Sequence, residues 1–250
     1  MARLTPVRPS ATRAGVNARS RAALLPGRLL RQRDRLGANL AMLVVGTAVF
    51  GVFFFINLFV QQVWGYSALR TGLAFLPLTV VLLAASGAAA TLVSRIGARP
   101  LLLAGGAASA GGLFWLSRLS EHGSYAGGLL GPMLLTGAGL GLLFVPLPLV
   151  ALVRVTEADS GVAASLLNAG RQIGGSIGLA VLGTVAWTVI ADRARAHAAA
   201  PGTASWQAAY QHALAAGFDR AFLVASGIAL LIVVVTLAAI RVRRADRSGS

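Results

Sequence analysis

The segment Leu40–Val60 reads LAMLVVGTAVFGVFFFINLFV and contains no charged residue. A membrane core about 30 Å thick requires roughly 20 helical residues, because each residue advances an α-helix by ~1.5 Å. The segment reaches that length, and its apolar residues run continuously instead of alternating with polar ones as in a half-buried strand. It therefore predicts a transmembrane helix.

Five further apolar stretches follow the first one. They cover Gly72–Val93, Leu101–Leu116, Gly127–Val153, Val162–Ile190 and Ala221–Ile240. Leu101–Leu116 is the shortest and reaches spanning length only with flanking residues. Because lipid offers no partner for backbone polar groups, only helices or closed barrels cross a membrane. The pattern therefore predicts an all-α integral membrane protein with six transmembrane helices.

The composition excludes an ordinary soluble enzyme. Of the 250 residues, 56% are hydrophobic and 12% are charged, whereas soluble domains contain about 25% charged residues. The chain has no cysteine and no lysine, and its acids fall in predicted loops or tails. The three histidines (His122, His197 and His212) lie in predicted outer loops without the spacing of metal ligands. We therefore expect no enzymatic activity, no cofactor and no metal site.

The positive charge is concentrated at the ends of the chain. All 22 basic residues are arginines, against seven acids, for a formal net charge of +15. Residues 1–36 form a predicted basic arm with nine arginines, residues 37–242 the six-helix domain, and residues 243–250 a basic tail. Cytoplasmic loops of membrane proteins are rich in arginine. This rule predicts a plasma-membrane protein with both termini in the cytoplasm, and the arm then requires no nucleic-acid partner.

The fifth stretch carries a polar set, Asn168, Arg171 and Gln172. Their spacing of three and four residues places them on one helix face. A charge in lipid costs at least about 2.5–3.5 kcal/mol, so Arg171 must contact protein, water or the cytoplasmic headgroups. Two interpretations stay open: Arg171 anchors the helix at the membrane surface, or it lies on a transport pathway. Asn57 in the first stretch is either an interhelical hydrogen bond or a substrate contact.

Glycines at a spacing of four residues predict close helix packing. They are Gly170, Gly174 and Gly178 in the fifth stretch and Gly137 and Gly141 in the fourth. Small residues on one face let a second helix approach closely. Pro146 and Pro148 follow the second set and predict a bend, because proline cannot donate a backbone hydrogen bond. The segment Asp192–Arg220 is predicted to be an outer connector, with a short interfacial helix over Ser205–Ala216 as the alternative.

Several segments in chain order carry a resemblance to one family. They are Leu25–Asn39, Phe53–Phe55 with Gln61–Ser67, Gly72–Pro77, Gly139–Pro146 and Ala164–Gly175. Together they resemble the C-terminal half of major facilitator superfamily transporters, most closely the fourteen-span drug:proton antiporters. Ser94–Arg99 resembles a degenerate copy of the cytoplasmic loop motif of the superfamily. Its Arg95, Gly97 and Arg99 match the motif, whereas Ser94 stands where the full motif has an aspartate.

The resemblance implies the second half of a proton-coupled exporter of hydrophobic or cationic drug-like compounds. Its partners would be the lipid bilayer, the substrate, protons and an N-terminal half on the same or another chain. Asn57, Asn168, Arg171 and Gln172 would then line the substrate pathway. A truncated remnant, a non-transporting partner of another transporter and a half-size homodimer are the alternatives. Residues 1–22 resemble nothing in that family.

Overall fold

The computed structural model describes residues 33–121, 123–153, 155, 157–199 and 206–239. All regular structure within these ranges is helical. The helices are α1 (Arg33–Gln62), α2 (Ala68–Ala74), α3 (Leu76–Ile96), α4 (Ala98–Leu116), α5 (Leu130–Phe144), α6 (Pro146–Leu152), α7 (Glu157–Ala199) and α8 (Trp206–Ala239). A single π-helical turn, Tyr125–Leu129, leads into α5. The predicted all-α fold is confirmed.

Among the described residues, five segments are long and apolar enough to cross a membrane. They are Arg35–Gln62, Ala68–Ile96, Tyr125–Leu152, Asp159–His197 and Ala208–Ala239. Helices α2 and α3 together form the second of these segments, and the π-helical turn with α5 and α6 forms the third. Helix α4 corresponds to the shortest apolar stretch. It has 19 residues and begins with Arg99 and Pro100 in its first turn, so it is less apolar than the other five.

Two of the segments are interrupted where prolines follow. Helix α2 ends at Ala74, Phe75 separates it from α3, and Pro77 occupies the first turn of α3. Val145 precedes Pro146 at the start of α6. Proline fits the first turn of a helix, where the backbone N–H has no intrahelical partner, and breaks a helix interior. In the fourth stretch the helix is interrupted at Val145, where the sequence predicts a bend, and the bend itself stays a prediction.

Glycine contacts define how the helices are arranged. A Cβ on Gly174 would lie against Leu43, and one on Gly178 against Thr47. These contacts advance together along both helices, so α1 and α7 are parallel neighbours. Helices α3 and α5 pack in parallel in the same way. Helix α4 runs antiparallel to both α5 and α8, and the rings of Phe55 and Phe218 join α1 to α8 with centroids 6.0 Å apart.

The first helix begins earlier than the sequence predicts. Residues 33–36, assigned from the sequence to the exposed arm, are part of α1. Arg35 is only 4% exposed, and it donates hydrogen bonds to the carbonyl oxygens of Ala151 (3.3 Å) and Val153 (3.4 Å) at the end of α6. A cation suits a helix C-terminus, where carbonyls point outward. The rest of the arm and the tail lie outside the described residues.

The predicted outer connector is wrong for most of its length. Helix α7 continues to Ala199 and α8 begins at Trp206, so the alternative helix over Ser205–Ala216 is the first part of α8, with Ser205 itself outside the described residues. Alanine, the best helix former, dominates both segments. Gly217 also lets the two helices touch, since a Cβ there would lie 2.7 Å from the carbonyl oxygen of Ala186.

Three residues assigned from the sequence to this connector are therefore helical. His197 lies on α7, and His212 and Asp219 lie on α8. Asp219 is an acid inside a membrane-spanning candidate segment, a feature that the apolar stretch Ala221–Ile240 does not include. His122 lies outside the described residues.

Candidate functional site

Three phenylalanines of α1 form an exposed aromatic surface. Phe50, Phe53 and Phe54 are 37%, 39% and 43% exposed, and with Val49 and Leu179 they line a cavity of about 360 Å³ between α1 and α7. Their spacing of three and four residues places the rings on one side of α1. We call this cavity the aromatic groove. Its walls are apolar, as is typical of small-molecule sites.

The groove exists because α1 and α7 approach closely beneath it. A Cβ on Gly174 would collide with the backbone of Leu43, and one on Gly175 would collide with the ring of Phe50. Thr47 Oγ1 donates a hydrogen bond of 2.8 Å to the carbonyl oxygen of Gly174. Gly170 is different, because its nearest neighbour, the carbonyl oxygen of Asn39, would lie 3.8 Å from a Cβ, an ordinary contact.

A line of polar side chains runs along α7 beside the groove. We call it the polar stripe, and it consists of Ser165, Asn168, Gln172 and Ser176, all exposed. Gly175 contacts the ring of Phe50, and Leu179 lines the groove. Gln172 and Ser176 lie within one turn of these two residues on α7, so this part of the stripe borders the groove. Amide and hydroxyl groups in lipid are costly without partners. The stripe therefore suits contact with water or with another protein segment.

Arg171 lies at the edge of the α1–α7 contact. Its backbone carbonyl is so close to Gly46 that a Cβ on this glycine would collide with it. Its side chain is partly buried, and Nη2 donates a hydrogen bond of 3.2 Å to Asn168 Oδ1. Because Asn168 is one turn nearer the start of α7, the guanidinium points toward that end of the helix. The structure thus joins Arg171 to Asn168 and leaves Gln172 beside them on the exposed face.

Asn57 lies elsewhere, at the far end of the groove. It is half-buried, and its Oδ1 accepts a hydrogen bond of 2.6 Å from Gln61 Nε2 on the same helix. Gly46 marks the level of Arg171 on α1, and Asn57 lies about 16 Å further along at ~1.5 Å per residue. The structure therefore does not bring Asn57 to the Asn168–Arg171 pair.

The second predicted glycine pair lies in the α3–α5 contact. A Cβ on Gly137 would lie 2.9 Å from the carbonyl oxygen of Leu78, and one on Gly141 would collide with that of Leu82. Ser86 Oγ donates a hydrogen bond of 3.1 Å to the carbonyl oxygen of Gly141. These contacts hold α3 against the bundle, although most of its surface is exposed.

The loop motif forms a one-residue turn between α3 and α4. Gly97 has φ of 86° and ψ of 171°, a conformation open essentially to glycine only, and its N–H donates to the carbonyl oxygen of Val93 at 3.1 Å. Arg95 and Arg99 flank it, and both are exposed. The turn therefore presents two guanidinium groups at one end of the bundle.

Sequence reasoning missed two elements of the site. The aromatic groove has a recognisable signal, since Phe50, Phe53, Phe54 and Asn57 follow helical spacing on one face. That signal was hidden because an aromatic residue in an apolar stretch is indistinguishable from a core residue until neighbouring helices are placed. The structural role of Arg35 had no local signal, because its acceptors lie more than one hundred positions away in the sequence.

Comparison with known proteins relates the chain to one family. The sequence profile of the Major Facilitator Superfamily matches residues 1–179, so the match includes residues 1–22, which contain none of the motifs that carry the resemblance.

Curated relatives are exporters and resistance proteins. The cephamycin export protein of Amycolatopsis lactamdurans is 41% identical over 163 residues, 65% of this chain and 34% of its own length. The puromycin resistance protein of Streptomyces alboniger is 32% identical over 91% of this chain and 45% of its own length. A multidrug resistance protein of Mycobacterium tuberculosis is 40% identical over 56% of this chain and 26% of its own length. The chain thus spans less than half the length of these relatives.

Proposed function

Because the chain belongs to the Major Facilitator Superfamily, we propose that it forms half of a proton-coupled exporter of hydrophobic or cationic drug-like compounds. Membrane transport follows from the family, and the finer assignment draws on three relatives. Their names refer to cephamycin export, puromycin resistance and multidrug resistance. One name refers to export and the other two to drug resistance, and export of small organic molecules is the activity that would account for all three.

The aromatic groove is the observation that carries the proposal. Phe50, Phe53 and Phe54 line an apolar cavity together with Val49 and Leu179, and the ring of Phe53 also stacks on that of Phe75 with centroids 5.2 Å apart. Aromatic rings attract organic cations by about 0.5–2 kcal/mol and also bind neutral apolar groups. A groove of this kind suits compounds that share hydrophobicity and size without a common pattern of hydrogen bonds.

The polar groups around the groove are assigned to the same pathway. Gln172 lies one turn before Gly175, which contacts the ring of Phe50, and Asn168 lies one turn further from the groove along α7. Asn57 lies one turn beyond Phe53 and Phe54 on α1. Arg171 holds Asn168 in place through the 3.2 Å hydrogen bond, so its proposed role is to position the stripe. A few polar groups around an apolar cavity provide orientation and let a bound molecule exchange with water.

Another bundle is required to close the pathway. Superfamily substrate sites lie between two halves that move against each other, and one half leaves the groove and the polar stripe open on one side. We propose that a segment absent from this chain, on the same or another polypeptide, covers them and supplies the carboxylates that carry protons. Arginine distribution supports a plasma-membrane location with both termini of the chain in the cytoplasm.

A test of the groove uses two equally exposed phenylalanines. The variants Phe54→Ala on α1 and Phe114→Ala on α4, which are 43% and 46% exposed, are introduced at the native locus so that any adjoining segments are retained. Efflux of ethidium, a hydrophobic cation, is followed in cells. We expect Phe54→Ala to slow efflux about fivefold, the effect of ~1 kcal/mol of lost cation–π attraction, and Phe114→Ala to leave it unchanged. Equal effects at both positions would contradict the proposal.

The polar set and the coupling ion are tested in the same cells. Arg171→Ala is expected to abolish efflux at an unchanged amount of membrane protein, because Asn168 loses its partner. Unchanged drug resistance would assign Arg171 to anchoring alone. Proton coupling predicts that a protonophore stops efflux while ATP remains high. Efflux that persists without a proton gradient would remove proton coupling, and a deletion of the locus without any effect on efflux would favour a remnant or a non-transporting partner.

A further inference from the structure

A second cavity shares no lining residue with the aromatic groove. It measures about 370 Å³ and lies where the end of α4 meets α7 and α8. Four of its lining side chains are charged: Arg118, Arg193, Asp219 and Arg220. The other lining residues are Ser117, Val189, Ala216 and Leu223. We call it the charged cavity.

The position of the charged cavity along α8 places it at a membrane surface. Helix α8 continues from Asp219 to Ala239, which is about 30 Å at ~1.5 Å per residue and equals the thickness of a bilayer core. Beyond Arg220 the large exposed side chains of α8 are apolar: Leu223, Leu230, Leu231, Val234 and Leu237. The cavity therefore opens at headgroup level above a surface suited to acyl chains.

The charges in the cavity form no direct ion pair with one another, although Arg193 is close enough to Asp219 to interact with its carboxyl electrostatically. Within the part of the chain that the structure describes, Asp219 forms no ion pair with Arg118, Arg193 or Arg220, and its Oδ1 is buried without a hydrogen-bond partner. Arg193 is engaged by His212, with Nη1 3.0 Å from Nε2. A carboxylate and several guanidinium groups that share a cavity without pairing leave both signs of charge available to a ligand.

The chemistry of these groups defines the ligand. Guanidinium groups bind phosphate with two parallel hydrogen bonds, and a carboxylate accepts hydrogen bonds from an ammonium group. Arg118, whose Cζ lies 5.1 Å from the centre of the Phe114 ring, and Arg220 have no ion-pair partner among the described residues. They are therefore free to hold a phosphate, while Asp219 is free to hold a cation.

We propose that the charged cavity binds the headgroup of a phospholipid that carries a primary amine. The phosphodiester contacts Arg118 and Arg220, the ammonium group contacts Asp219, and the acyl chains lie along Leu223 and the apolar face of α8. A lipid in this site would join the ends of α4 and α8. A quaternary ammonium headgroup carries the same charge but has no N–H to donate, so the site distinguishes the two.

The experiment measures thermal unfolding of the purified, delipidated 250-residue chain in detergent. Three short-chain lipids are titrated: dioctanoyl phosphatidylethanolamine, phosphatidylcholine and phosphatidylglycerol. Free phosphoethanolamine is the fourth probe, since it has the same headgroup without acyl chains. We expect phosphatidylethanolamine to raise the unfolding midpoint at about tenfold lower concentration than phosphatidylcholine, the effect of one charge-assisted hydrogen bond, and free phosphoethanolamine to have little effect.

Two variants and one control assign the effect to this cavity. Asp219→Asn is expected to abolish the preference for phosphatidylethanolamine over phosphatidylcholine. Arg118→Gln with Arg220→Gln is expected to weaken all three lipids. Arg95→Gln with Arg99→Gln removes the same charge at the α3–α4 turn and is expected to change nothing.

Each contrary outcome overturns part of the proposal. Equal stabilisation by all three lipids in the unaltered chain removes the headgroup assignment, and this result does not depend on whether any variant folds. Equal potency of phosphoethanolamine and the lipid shows that the ligand is a soluble molecule. Variants that leave the lipid preference intact place the site elsewhere on the bundle.

Discussion

Helices α7 and α8 are both long and both partly exposed, yet their exposed faces differ in chemistry. From Leu223 onward, every large exposed side chain of α8 is apolar. The exposed face of α7 carries the polar stripe next to an apolar strip of Ile173, Ile177 and Val181. Exposure within a bundle therefore does not mean one environment. We interpret the α8 face as lipid-facing and the polar stripe as facing water or a second bundle.

The contact between α1 and α7 positions the stripe and the groove, so breaking it has the largest expected effect. In Gly174→Leu the new side chain collides with the backbone of Leu43, which cannot move without displacing α1. Overpacking of this kind costs about 1–3 kcal/mol or more, and we expect almost complete loss of membrane-inserted protein by quantitative blotting. The matched control is Gly183→Leu on the same helix, where a Cβ meets nothing within 4 Å. Equal protein levels for both variants would show that this contact is not needed.

The difference between the two faces predicts where an added charge is tolerated. Helices α7 and α8 are antiparallel and touch where Gly217 meets Ala186. Ser176 precedes Ala186 and Leu230 follows Gly217 by about three to four turns, so the two residues lie at a similar depth. Leu230→Arg places a charge against lipid at a cost of about 2.5–3.5 kcal/mol. We expect it to reduce the inserted fraction at least tenfold, and Ser176→Arg to stay close to the unaltered chain. Equal losses would mean that both faces contact lipid.

The smallest expected effect concerns the turn that joins α3 to α4. Gly97→Ala forces a side chain into a backbone conformation with φ of 86°, which costs about 1–3 kcal/mol. The unfolding midpoint in detergent is expected to fall. Gly87→Ala on α3, where a Cβ meets nothing, is the control and is expected to be neutral or slightly stabilising because alanine favours helix. A neutral Gly97→Ala would show that the turn can adopt another conformation.

The length of each apolar stretch predicted a helix because a bilayer core requires about 20 apolar helical residues. The structure has helices at Leu40–Val60 and at Gly127–Val153, the second of them interrupted before Pro146. The same criterion failed at the ends. It assigned Arg35 to an exposed arm and Asp219 to a connector, because it measures apolarity and these two residues lie on helices that extend past the apolar stretch.

The site was only partly predictable for a different reason. The spacing of Asn168, Arg171 and Gln172 predicted that they lie close together on one helix, and in the structure Arg171 donates a hydrogen bond to Asn168. Asn57 lies on another helix, and its distance from this set depends on how α1 packs against α7. The roles of these residues, and of Gly170, Gly174 and Gly178, stay predictions until the variants are measured.

The most direct test uses the absence of cysteine from the chain, which allows single cysteines to be introduced without other changes. Gln172→Cys and Ser176→Cys on α7 and Leu230→Cys and Val234→Cys on α8 are treated in native membranes with a membrane-impermeant thiol reagent. The account predicts rapid labelling of both α7 positions, slowed by an exported compound such as ethidium, and no labelling of the α8 positions. Unreactive cysteines on α7, or equal labelling of α7 and α8, would contradict the assignment of the polar stripe to a water-filled transport pathway.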